Sequence, residues 1–116
     1  MYVEGFVIPV PVDRKDDYVA MARSAAQIFK DYGATRVVEC WADDVPMGEL
    51  TSFPRAVRIE DGEAVVLSWI EYPDRATRDA CNAQVRVDPR MEALVTNSFF
   101  AGRRMIYGGF SAFLDR

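Results

Sequence analysis

The sequence contains no histidine. That excludes a Ser-His-Asp triad, a Cys-His dyad, and zinc or haem held by imidazole. Cysteine is nearly as scarce. Cys40 and Cys81 stand far apart, and no CxxC pair exists. This pattern fits reduced, buried thiols in the cytoplasm rather than a disulfide framework. No apolar run is long enough to span a bilayer. The first dozen residues carry Glu4, Pro9 and Pro11 and have no basic start, so no signal peptide is expected. Concentrated positive charge is also missing. The densest basic spots are Arg14-Lys15 and Arg103-Arg104, in a chain of net charge −4. Nucleic acid and anionic membranes are therefore not expected partners, because both need a basic surface. There is no GxGxxG or P-loop, and Asp43-Asp44 with Glu49 lacks the spacing of a calcium loop. We expect no metal and no cofactor.

What is present is apolar content. Half of the 116 residues are hydrophobic and 28% are charged, which gives one globular domain over residues 1–116. Tyr2–Val10 reads as a strand that is apolar on both faces and ended by Pro9 and Pro11. Asp13 is placed to cap a helix reaching Tyr32, with Gly33 as its stop. A second strand covers about Ala34–Ala42. Phe53–Ile59 fits either a helical turn or an extended lead-in. Ala64–Tyr72 is the clearest strand, stopped by Pro73. Asp74 caps a helix to about Val87, Asp88-Pro89 starts a shorter one, and Arg103–Phe110 closes the chain as a strand.

The order β-α-β-β-α-β predicts an α+β, ferredoxin-like fold: a four-stranded antiparallel sheet with both helices on one face. Strands one and three are apolar on both sides, and two helices can cover only one. A second copy packed sheet against sheet would cover the other, so we expect a homodimer.

The segments Glu4-Gly5-Phe6-Val7, Val38-Glu39-Cys40-Trp41, Ser68-Trp69-Ile70-Glu71-Tyr72-Pro73, Asp88-Pro89-Arg90-Met91 and Arg104-Met105-Ile106-Tyr107-Gly108-Gly109-Phe110 carry a resemblance. The whole chain resembles the YbaA-like family of small bacterial proteins of unknown function. The resemblance implies a dimeric α+β barrel and no established activity.

Candidate site residues are few. Glu39 and Glu71 are carboxylates inside otherwise apolar strands that should pair antiparallel. One register sets Glu39 opposite Glu71 and Trp41 opposite Trp69. Facing carboxylates would favour a protonated partner and acid–base chemistry. In other registers each Glu meets Arg36, Arg58 or Arg104, or lies at a rim. Trp41, Trp69 and Tyr72 suit the wall of a ligand pocket, and equally a core or dimer interface. Tyr107 supplies a phenol. Arg104 could hold an anion, or pair with Glu4 or Glu71. Gly108-Gly109 allows a close approach or marks a bulge. Catalytic candidates are thus Glu39, Glu71 and Tyr107, and ligand-binding candidates are Trp41, Trp69, Tyr72 and Arg104. Three functions fit: a small-molecule binder with its pocket between sheet and helices, a cofactor-independent enzyme (monooxygenase- or isomerase-like), or a protein-interaction module.

Overall fold

The computed structural model describes residues 1–116. The elements run β1 (Tyr2–Pro11), α1 (Lys15–Asp31), β2 (Arg36–Trp41), α2 (Phe53–Ala56), β3 (Glu63–Tyr72), α3 (Arg75–Val87), α4 (Pro89–Thr96) and β4 (Ile106–Ser111). All strand pairs are antiparallel, and the sheet order is β2-β3-β1-β4. This is the expected split βαβ arrangement, with the two most apolar strands at the centre.

Local chemistry explains most boundaries. Asp74 caps α3 by accepting from the Thr77 amide at 2.8 Å, and Asp88 caps α4 by accepting from the Arg90 amide at 2.8 Å. The region of two readings resolves as a helical turn, because Ser52 accepts from the Arg55 amide and Pro54 suits a first turn. Gly33 ends α1 with φ +116°, a region that disfavours any side chain.

Three boundaries differ from expectation. Asp13 does not cap α1. Residues Val12–Arg14 form a 3-10 turn, and the helix begins at Lys15 without a side-chain cap. β1 also continues through Pro9 and Pro11. The Val12 amide donates to Gly62 O on the β3 side, so the alternate positions 9 and 11 point the other way. There β4 pairs only as far as Val7, and a missing N–H costs no ladder bond. Finally, β4 starts at Ile106, and Arg104 belongs to a 3-10 turn before it.

The period-two alternation of β3 divides the sheet cleanly. Val66, Ser68, Ile70 and Tyr72 are buried beneath the helices. Ile70 and Tyr72 pack with Ile28, Cys81 and Val85, while Val66 packs with Ile8, Val10 and Tyr18. Each fully buried aliphatic or aromatic side chain contributes about 1.5–3 kcal/mol. On the opposite face only the short α2 packs, near the start of β3, where Val65 is buried; the rest has no helix over it. Leu67, Ile106 and Phe110 are 42%, 45% and 63% exposed there, beside Val7.

The glycine pair serves both faces. A Cβ on Gly108 would touch the Phe110 ring on the open face. One on Gly109 would drive into Tyr2, 2.8 Å from Cζ, and into Arg78 on the helix face. Gly109 is therefore a close-approach glycine.

Candidate functional site

Between the sheet, α1, α4 and the segment leading to β4 lies a cavity of about 360 Å³. Fifteen of its 19 lining residues are hydrophobic, among them Phe6, Ile8, Ile70, Met91 and Leu94. That composition and volume match small-molecule sites, which run from about 300 to 1,000 Å³ and carry few polar groups. Polar groups here come from the side chains of Glu39, Ser68 and Ser98 and from the hydroxyl of Tyr18, whose ring counts among the fifteen.

Three of these four are joined. Tyr18 donates its hydroxyl to Glu39 Oε1 at 2.5 Å, and Ser68 donates to the other oxygen of the same carboxylate. Backbone register creates the cluster. Glu39 on β2 sits directly opposite Ser68 on β3, and both point to the helix face. Tyr18 comes down from the first turns of α1, where the Phe100 ring meets it edge-on at 5.8 Å. Burial, reinforced by the Glu39 charge and hydrogen bond, pushes the Tyr18 phenol well above its ordinary range. It therefore stays protonated and acts as a donor. No Lys or Arg pairs with Glu39. The carboxylate is held by two neutral hydroxyls alone.

A second chamber of about 260 Å³ adjoins the first, towards the β2 edge. Tyr18, Ala22, Ala26, Val37 and Glu39 line both, so the Tyr18–Glu39 pair forms part of their common wall. Trp41 lines the outer chamber, with Lys15 Nζ 5.1 Å from the ring centre.

The other candidates are dispersed. Glu39 does not face Glu71, nor does Trp41 face Trp69. The true register is displaced by three residues, setting Glu39 against Ser68 and Trp41 against Val66. An odd displacement puts the two carboxylates on opposite faces of the sheet. Glu71 lies on the open face, where it accepts from Trp69 Nε1 at 2.8 Å and meets Arg36, its cross-strand neighbour, at 3.7 Å. Tyr72 is 1% exposed and belongs to the core against Cys81. Tyr107 is mostly exposed on the edge strand, its ring stacked 6.2 Å from Phe6. Arg104 pairs with neither Glu4 nor Glu71. It forms a two-pronged bond to Glu63, at 2.9 and 2.6 Å, and reaches Glu60 at 3.6 Å. The Glu63 carboxyl is held below its usual range, chiefly by that Arg104 contact.

Sequence reading missed Tyr18 and Ser68. Tyr18 is hidden in the apolar stripe of α1. Ser68 was detectable as the single hydroxyl between Val66 and Ile70 on the buried side of an otherwise apolar strand.

A second polar cluster provides a contrast. Glu4 on β1 is 6% exposed and accepts from Arg78 Nη1 at 3.1 Å and Asn82 Nδ2 at 3.2 Å. Arg78 also donates to Tyr2 Oη at 2.9 Å, and its Nε lies 3.0 Å from Asp79 off the hydrogen-bond axis. This network is sealed by its own partners and touches neither chamber.

No helix is long and apolar enough to cross a membrane. In solved structures the fold is similar to an uncharacterized NIPSNAP domain protein from Burkholderia xenovorans, at TM-score 0.61 and 19% identity, with both chains fully covered. That likeness extends to the fold alone. At the sequence level the chain is 54% identical over 114 residues to the uncharacterized protein YbaA of Escherichia coli K12, covering 98% of this chain and 97% of that one. YbaA of Shigella flexneri matches to the same extent. The model of a protein family of unknown function, DUF1428, matches residues 1–102, and this chain belongs to that family.

Proposed function

We propose that the protein binds a small, largely apolar molecule in the cavity between sheet and helices, with Glu39, Tyr18 and Ser68 at its polar end. The observation that carries this reading is a carboxylate facing an apolar cavity with two hydroxyl partners and no cation. Buried Glu4 is ion-paired within the fold, whereas Glu39, exposed at the sheet edge beside the cavity, keeps acceptor positions that an entering ligand can use. Trp41 adds an aromatic wall to the outer chamber. The free thiols of Cys40 and Cys81 suit a reducing compartment, and we place the protein in the cytoplasm.

The test is titration with N-phenyl-1-naphthylamine, a neutral dye that fluoresces in apolar sites. We expect saturable binding at one site per chain. Ala22→Phe fills the wall common to both chambers and should abolish it with little change in melting temperature. Absence of saturable binding, or binding unaffected by Ala22→Phe in a folded variant, would refute the reading.

The binding unit is proposed to be a homodimer formed through the open sheet face. Exposed Leu67, Ile106 and Phe110 support it, because apolar side chains clustered on one flat face usually have a partner. An antiparallel sheet face meets a copy of itself well about a twofold axis. Light scattering should give twice the chain mass, falling to the monomer in Leu67→Glu. A monomer of the unaltered chain at micromolar concentration overturns the assembly.

A second reading, cofactor-independent catalysis, is favoured by the 2.5 Å Tyr18–Glu39 contact, which pairs a proton donor with a base beside the cavity. Turnover lost in Glu39→Gln with dye binding retained would support that reading.

A further inference from the structure

The polar end of the cavity constrains the head group of its ligand. We propose that the cavity takes an apolar amine, held as the ammonium ion by Glu39. This rests on the cavity reading above and adds the chemical class of the ligand.

The argument begins with hydrogen-bond capacity. A carboxylate offers about four acceptor positions on its two oxygens. Tyr18 occupies one on Oε1 and Ser68 one on Oε2, leaving an open position on each oxygen. Both hydroxyls have spent their single proton on Glu39, so what the cluster presents to a newcomer is acceptors. A ligand must therefore bring donors. Charge narrows the choice. No Lys or Arg lines the inner cavity, so nothing there neutralises Glu39 or would hold an anionic head group. Arg23, the cation among the residues lining the outer chamber, is exposed and makes no ion pair with Glu39. An ammonium supplies donors and a counter-charge together, at a carboxylate that solvent also reaches. Its bonds to a carboxylate join opposite full charges, whereas a neutral hydroxyl brings a donor without a counter-charge. A carboxylic acid, ionised at pH 7, would meet Glu39 as a like charge. The rest of the cavity is apolar wall, suited to an alkyl or aryl body.

The discriminating experiment displaces N-phenyl-1-naphthylamine at pH 7 with decylamine, decanol and decanoate, which differ only in head group. The amine should compete best, the alcohol less and the acid least. Glu39→Gln should weaken decylamine about tenfold or more, the factor carried by about 1.4 kcal/mol, while decanol changes little. Glu49→Gln removes the same charge from an exposed loop and serves as the control for general attraction to an acidic protein. It should leave all three probes unchanged. The head-group order in the unaltered chain stands as a test even where a variant folds poorly. Decanoate competing as well as decylamine, or equal losses in Glu39→Gln and Glu49→Gln, overturns the amine assignment and leaves the cavity reading intact. Failure of the dye and of every probe to bind overturns both.

Discussion

Glu4 and Glu39 are both carboxylates on the helix-covered face of one sheet, and they live in opposite circumstances. Glu4, on central β1, is buried and tied to Arg78 and Asn82. Glu39, on edge strand β2, has two hydroxyl partners, no cation and a cavity on either side. The difference follows from position in the sheet. A charge on a central strand under a helix has no route to water, so the fold must supply its counter-charge. A charge on an edge strand can remain partly hydrated, and its vacant valence is left for something else. In this molecule a saturated carboxylate marks structure and an unsaturated one marks the place to look for function.

The largest expected effect comes from breaking the saturated cluster. Glu4→Gln removes the buried charge partner of Arg78 and leaves it only the exposed carboxylate of Asp79. It should cost about 3 kcal/mol of unfolding free energy, the low end of the range for a buried pair because Arg78 retains some contact with water. Glu39→Gln should cost about 1 kcal/mol or less, since the site is open to solvent and the amide oxygen still accepts a hydroxyl. Urea denaturation of the two variants compares them directly, and equal losses would erase the distinction. A smaller effect is expected at Asp88, a third carboxylate, which links Arg90 and Tyr32 at the start of α4. Hydrogen bonds from Arg90, then Tyr32, hold its carboxyl well below the usual range. Its contribution is therefore present above the unfolded value of about 3.9 and lost as pH falls through the lower folded value. Thermal melts of Asp88→Asn should show a shallower loss of stability below about pH 4 than the unaltered chain. Parallel acid limbs would remove Asp88 from that role.

Element order, caps and the apolar balance of the strands were legible in the sequence because they depend on neighbours in the chain. Asp74, Asp88 and Gly33 act within a few residues of where they stand. The family resemblance, carried by short local segments, was legible for the same reason. The site was only half legible. Glu39 stood out as a charge in an apolar strand, but its partners lie 21 and 29 residues away in sequence. Glu71 and Trp69 stood out in the same local way, and composition alone left open the register that would set them opposite Glu39 and Trp41. Backbone hydrogen bonding chose a register displaced by three, and an odd displacement exchanges the faces.

What the sequence determined by itself is the identity of the elements, the excess of apolar strand surface, and a chemistry confined to carboxylates, phenols, guanidinium groups and thiols. What the tertiary structure alone decided is which of those groups meet. It sent Arg104 to Glu63, Glu71 to Arg36 and Glu39 to Tyr18 and Ser68. Side-chain identity is a local property. Proximity depends on strand register and on the height at which a helix crosses the sheet, and both are fixed only when the whole core closes.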